Sequence, residues 1–299
     1  MNEFVRHFEL ALINKATQLD IERVDDYDLV HQIRFFVMRR PLELDFAIEV
    51  SKKCFLDRGD DFRGIFISEF LKKCPIVVYR MFLYGLIDIL KIKQCIEKLN
   101  ETHAKLYFLD FYNETTIKNI LPKDCVDNGQ LKHDVMREYY LYGFPKKSEQ
   151  YCLKYDDIQE FSKILSNPLF SPNESLRWSI FEWSEEPFTR TSLDLACYFG
   201  SVKCAKLLMM NYNSFSDGVI RNILCGGSID LFYCLQDQLD LKIEFIEPVA
   251  LYLHIDLLKW FLSHKMKQLD FSVLSHSIVV FDLLKDISTG KITECEVFC

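Results

Sequence analysis

A short apolar pattern returns four times in the second half of the chain at nearly constant spacing, and this period constrains the fold more than any other feature. It reads Ser201-Val202-Lys203-Cys204-Ala205-Lys206-Leu207-Leu208, then Ser228-Ile229-Asp230-Leu231-Phe232-Tyr233-Cys234-Leu235. It continues as His254-Ile255-Asp256-Leu257-Leu258-Lys259-Trp260-Phe261 and Val280-Phe281-Asp282-Leu283-Leu284-Lys285-Asp286-Ile287. Positions 202, 229, 255 and 281 are therefore separated by 27, 26 and 26 residues. Apolar residues at i, i+2, i+5 and i+6 gather on one side of a helix. A second apolar turn precedes the copies, in Leu193–Cys197, Ile220–Leu224 and Ile246–Ala250, and Gly200 or Gly227 lies between the two, where the chain can reverse at a helix C-terminus. Each unit thus reads as helix, tight turn, helix. A single pair cannot bury its apolar faces alone, but a stack of pairs can.

An earlier copy at Asp157–Leu165 stands 44 residues before the next, from position 158 to 202. The surplus falls in Ser166–Arg190, which contains Pro168, Pro172 and Pro187 and reads as a long loop or projecting finger. Any strand is expected there, as a short hairpin. Pro145-Lys146-Lys147 marks the boundary between a helical N-terminal domain, 1–145, and a repeat domain, 146–299. The repeat units fall near 151–166, 191–211, 218–237, 245–265 and 272–288. The first half shows no such period, yet helical apolar spacing occupies 3–19, 27–38, 42–56, 62–73, 76–98, 103–112 and 131–142. The expected fold class is all-α: an irregular helical N-terminal region followed by a helix-pair solenoid with short repeats. Its expected core is Leu193, Ala196, Val202, Cys204, Leu207, Leu208, Ile223, Leu231, Leu235, Val249, Leu257 and Phe261.

Composition narrows the function. The formal net charge is −8 and no Lys/Arg block stands out, so the basic face that a nucleic-acid binder uses against phosphates is missing. Eleven Cys occur without a single Cys-x-x-Cys pair, which fits buried free thiols in a reducing compartment better than a zinc site or a disulfide framework. Met1–Leu10 carries Glu3, Arg6, His7 and Glu9, so no signal-peptide core forms. The most apolar stretch, Pro75–Ile92, is interrupted by Arg80 and Asp88 and reads as a buried helix rather than a membrane span. These features point to a cytoplasmic chain with no membrane insertion, no nucleic-acid partner, no metal and no cofactor. Catalytic signatures are absent: the sequence holds no Gly-x-Gly-x-x-Gly, P-loop, His-Glu-x-x-His or Gly-x-Ser-x-Gly. Arg58-Gly59-Asp60 reads as an interhelical turn rather than an adhesion tripeptide, and His254 occupies the turn position held elsewhere by Ser201 and Ser228.

Thr191-Ser192-Leu193-Asp194-Leu195-Ala196-Cys197-Tyr198-Phe199-Gly200-Ser201 resembles the ankyrin signature T-P-L-H-x-A-A-x-x-G-H, with Leu207-Leu208 at its paired leucines. Ser192 replaces Pro and Asp194 replaces His, and the later copies keep only the apolar skeleton. The order Asp156-Asp157-Ile158, Phe181–Pro187, Ser192–Cys204 and Gly226–Asp230 is similar to that of a large family of divergent ankyrin-repeat proteins of parabasalid, trichomonad-type protists. The likeness covers about residues 150–265. It implies a helical N-terminal region joined to degenerate ankyrin repeats; the family carries no established activity, so the likeness supplies fold and class and no mechanism.

The expectation is a non-catalytic scaffold or adaptor that binds a protein partner through the concave face of the stack and the 166–190 loop. The residues expected to carry binding are Trp178, Phe181, Trp183, Glu185, Glu186 and Phe188 in the loop, with Asp194, Leu195, Tyr198, Arg221, Asn222 and Leu251 on the first helices of the units. Trp is a frequent interface anchor, but the same aromatics could instead pack beneath the loop. Thr191, Leu193, Ala196, Gly200, Leu207, Leu208 and Gly227 are assigned to the repeat framework. Two alternatives stand beside this reading: an enzyme with an unrecognised site in the N-terminal half, and a self-associating structural protein.

Overall fold

The computed structural model describes residues 8, 11–12, 24–39, 43–112, 121–127, 130–176, 179–182, 191–210, 216–235, 246–252 and 254–265. The protein is all-α. The expected unit at 272–288 lies outside the described residues, as does most of the helix expected at 3–19. The chain divides into two compact units. One comprises Met1–Pro145 with Ser179–Pro187, the other Lys146–Trp178 with Phe188–Cys299.

In the first unit the helices are α1 (Asp26–Arg39), α2 (Leu44–Asp57), α3 (Asp60–Lys73), α4 (Pro75–Leu83), α5 (Ile89–Leu99), α6 (Thr102–Tyr107) and α7 (His133–Tyr142). Their ends follow from local chemistry. Asp60 and Asp61 open α3 while Lys72 and Lys73 close it, each matching the sign of the helix dipole. Pro75 starts α4, where its missing N–H costs nothing. Asp88 caps α5 by accepting from Leu90 N–H at 2.6 Å.

The packing is regular although the sequence is not. α1 lies on α3 and α3 on α5, while α2 lies on α4 and α4 on α6. Consecutive helices also pair, so this unit too is built from helix pairs stacked in two layers. Phe62, Phe66 and Phe70 recur every four residues along α3 and are fully buried, with Phe55 of α2 edge-on to Phe66 at 5.7 Å. Arg34 of α1 bridges to Glu69 of α3 at 2.5 Å. Arg58 reaches Asp26 at 2.6 Å and Val24 O at 2.8 Å, so the Arg-Gly-Asp turn is tied into the stack.

Two expectations are corrected here. The apolar run expected as one helix, 76–98, is two helices, because Gly85 turns left-handed (φ 70°) and Asp88 caps a new start. Strand is not confined to the 166–190 loop: a two-residue antiparallel pair, β1 (Val126–Asp127) and β2 (Gln130–Leu131), precedes α7, with Val126 opposite Leu131.

The second unit contains α8 (Glu149–Tyr155), α9 (Ile158–Leu165), α10 (Ser192–Tyr198), α11 (Val202–Met209), α12 (Asp217–Gly226), α13 (Ile229–Leu235), α14 (Ile246–Leu251) and α15 (Ile255–Lys265). The first helices of the pairs form one layer, α8 on α10, α10 on α12 and α12 on α14. The second helices form the other, α9 on α11 and α11 on α13. Leu193, Ala196, Cys204, Leu208, Ile223, Leu231, Val249, Leu257 and Phe261 are buried between them. Val202 and Leu207 are only half-buried, because they stand beside the buried stripe of Cys204, Ala205 and Leu208 on α11.

Candidate interaction surface

Three pairs in the second unit close on a dipeptide: a left-handed residue followed by the N-cap residue of the second helix. Gly200-Ser201 and Gly227-Ser228 do this with φ of 66° and 67° at the glycines. Asp156-Asp157 does it with a non-glycine at φ 55°. The turns at 157, 201 and 254 share one hydrogen bond, to the carbonyl five residues back: Asp157 N–H to Cys152 O at 2.9 Å, Ser201 N–H to Ala196 O at 2.8 Å and His254 N–H to Val249 O at 3.0 Å. Asp157, Ser201 and His254 are therefore equivalent positions.

These turns also fasten neighbouring pairs to one another. Ser201 Oγ donates to Leu153 O. His254 Nε2 lies 2.7 Å from Cys225 O, and since a carbonyl only accepts, the proton is on Nε2. Asp156 accepts from the Lys203 and Cys204 amides at 3.2 and 2.9 Å, which satisfies two open N–H groups at the start of α11. That bond explains a left-handed Asp where the turns at 200 and 227 use Gly. A side chain on Gly226 would run into Cys197 O and come within 2.9 Å of Tyr198 O and Gly200 N. On Gly227 it would strike the His254 ring.

The departures from the ankyrin-like signature have structural partners. Ser192, where the signature has Pro, is buried and donates to Glu149 Oε1 of the preceding pair at 2.5 Å. Asp194, where it has His, forms a capping box with Thr191 and accepts from Asn222 Nδ2 of the following pair at 3.0 Å. Burial raises the Glu149 pKa, the Ser192 hydrogen bond opposes it, and Glu174 adds to it.

The residues expected to bind a partner now separate into groups. Arg221 on α12 is exposed. Asn222 and Asp194 are half-buried and bonded to each other, and Leu251 is half-buried at the end of α14. Leu195 and Tyr198, expected to carry binding, are instead buried, at 2% and 4% exposure. α10 is flanked on both sides by α8 and α12, and the Tyr198 ring packs against Phe199 at 5.2 Å and Tyr252 at 5.9 Å. Trp178, Trp183, Glu185, Glu186 and Phe188 lie outside the described residues.

Phe181 is corrected as well. The 166–190 segment does not stand clear of the protein along its length, because Ser179, Phe181 and Glu182 are buried in the first unit. Phe181 sits among Tyr107, Tyr139 and Tyr140 at ring distances of 5.3–5.4 Å. Tyr107 O–H donates to Phe181 O at 2.9 Å, and His103 Nε2 lies 2.5 Å from Ile180 O. The weighing in the sequence between packing and interface is resolved at Phe181 in favour of packing.

Four thiols of the described residues are set up against reactivity. Burial pushes Cys54, Cys125 and Cys204 up to about 12 and Cys152 to about 11. Nucleophilic thiols need the opposite shift. Among the described residues no three His, Cys, Asp or Glu group as metal ligands would. No described helix is long and apolar enough to cross a membrane. No family model, no curated protein and no solved structure matches the chain.

Proposed function

We propose that the chain is a non-catalytic protein-interaction module, a scaffold or adaptor, which holds a protein partner on the first-helix layer of its C-terminal stack. In this reading the stack is a degenerate ankyrin-like array of the kind carried by divergent trichomonad-type proteins, and it works in the cytoplasm. One observation carries the reading: the division of labour along α12. Val219, Ile220, Ile223 and Leu224 are buried, and Asn222 is bonded to the neighbouring pair. Arg221 and Gly218 on the same helix face outward. Arginine presents a rigid fork of donors that suits recognition of carboxylates and main-chain oxygens on a partner.

The test compares partner recovery from extracts of the cell of origin by the full chain, by Arg221→Glu and by Lys163→Glu. Lys163 is an exposed residue on α9, in the opposite layer. Recovery of a defined partner should fall with Arg221→Glu alone, at unchanged helical content. Equal recovery by all three chains rejects this surface.

A further inference from the structure

Ser179–Glu182 forms a strap held by its main chain and its side chains together. The carbonyls of two consecutive residues, Ile180 and Phe181, accept from the side chains of His103 and Tyr107. The strap also orders itself as a compact turn, with Phe181 N–H donating to Ser179 Oγ at 3.1 Å and Glu182 N–H to Ser179 O at 3.1 Å. Main-chain bonds combined with a pocket for one side chain are how proteins hold peptides, the former giving affinity and the latter specificity.

The pocket is shaped for two side chains. Three tyrosine rings cage Phe181 from different directions: Tyr107 and Tyr140 edge-on, with interplanar angles of 85° and 79°, and Tyr139 tilted at 41°. Such edge and tilted pairs are favourable geometries for aromatic rings. Beside them Gly143 ends α7 with φ 79°, and the Glu182 side chain lies where a Cβ on Gly143 would project. Gly143 therefore serves two ends: it supplies the left-handed cap, and it clears the space for an acidic side chain. The strap itself arrives from elsewhere in the sequence, since the residues before Ser179 and after Pro187 belong to the second unit.

We infer that the socket of His103, Tyr107, Tyr139, Tyr140 and Gly143 is a peptide-recognition site whose internal ligand is Ser179–Glu182, and that its external ligand is a partner-protein segment with an aromatic residue followed by an acidic one. The strap is a tethered competitor. Tethering raises the local concentration of the resident sequence to about the millimolar range, so a partner displaces it when its concentration relative to its own dissociation constant exceeds that ratio for the strap. This site is separate from the surface around Arg221, and its failure would leave that surface untouched.

The experiment uses the full chain and a fluorescein-labelled peptide of residues 176–187, followed by anisotropy. Phe181→Ala in the chain empties the cage while leaving the socket intact. The labelled peptide should bind that variant at least ~10-fold more tightly than it binds the unmodified chain, because the tethered competitor has been weakened. A peptide carrying Phe181→Ala should bind neither. Equal affinity for the two chains, or equal binding by the two peptides, overturns the inference. Should Phe181→Ala lose its helical signal, the unmodified chain supplies the readout. Excess peptide should then speed hydrogen exchange at the Phe181 and Glu182 amides, and unchanged exchange overturns the inference. A native chain running as a dimer that Phe181→Ala converts to monomer would show the occupant to be the strap of a second copy, and would overturn the assignment of a different partner protein.

Discussion

Asn222 Nδ2 donates to Asp194 Oδ1 at 3.0 Å, and the other oxygen of that carboxylate accepts from the Thr191 amide at 3.2 Å and hydroxyl at 2.8 Å. One side chain thus caps its own helix and fastens the next pair. Asp194→Ala should lower stability in urea by about 1–2 kcal/mol, combining a lost cap with a lost hydrogen bond. Asn222→Ala should cost less, and a double-mutant cycle should give a nonadditive term of at least about 0.5 kcal/mol. Additive losses would mean that the two residues act independently.

The glycines of α12 predict opposite signs. Gly226→Ala forces a methyl group into the backbone of the preceding turn and should destabilise. Gly218→Ala meets only Ser216 Oγ at 3.6 Å on an exposed helical position, and should stabilise by about 0.5–1 kcal/mol through reduced freedom of the unfolded chain. Thermal melts of the two variants check both signs. In the core, Leu208 is 0% exposed, and Leu208→Ala should cost about 2–5 kcal/mol.

Two titrations give stability opposite slopes with pH. His31 lies between Tyr27 and Phe35 on α1, at ring distances of 6.5 and 6.4 Å. Burial first, and Arg34 second, lower its pKa from 6.5. The unfolded chain therefore takes up the proton first as pH falls, so the stability attached to neutral His31 is lost as pH drops through 6.5 toward the lower folded value. His31→Gln should flatten that loss in urea titrations across this window. Glu149 behaves in the other sense. Its folded pKa is raised above 4.5, so its ionised form disfavours the fold above the raised value, and protonation relieves this as pH falls. Glu149→Gln keeps an acceptor for Ser192 and should hold or increase stability at neutral pH. A marked loss would show that the charge itself is required.

The second unit was readable in the sequence because its signals are local and repeated. Gly200-Ser201 and Gly227-Ser228 announce the turns, and the apolar skeleton around Leu208, Leu231 and Phe261 marks the buried faces. The turn role of Asp156 is not legible locally, because an Asp in the left-handed position is justified by the Lys203 and Cys204 amides, which lie far away in sequence. The stacked pairs of the first unit escaped a search for periods because α1, α3 and α5 start at residues 26, 60 and 89, which are unequally spaced. The break between α4 and α5 was hidden inside a continuous apolar run, where Gly85 and Asp88 were the available signs. Leu195 and Tyr198 were misplaced because helical spacing gives a face but not the number of neighbours, and α10 has a neighbour on each side. Burial of Phe181 depends on Tyr107, Tyr139 and Tyr140, residues that no local pattern connects to it.

The proposed partner on the first-helix layer is tested most directly by site-specific photocrosslinking. A benzophenone amino acid is placed at position 221 in one full-length chain and at position 163 in another, and both are irradiated in the cell of origin. The account predicts a discrete adduct with a different protein from position 221 and none of that mass from position 163. The same set of adducts from both positions, or an adduct from position 221 with only another copy of the chain, would contradict it.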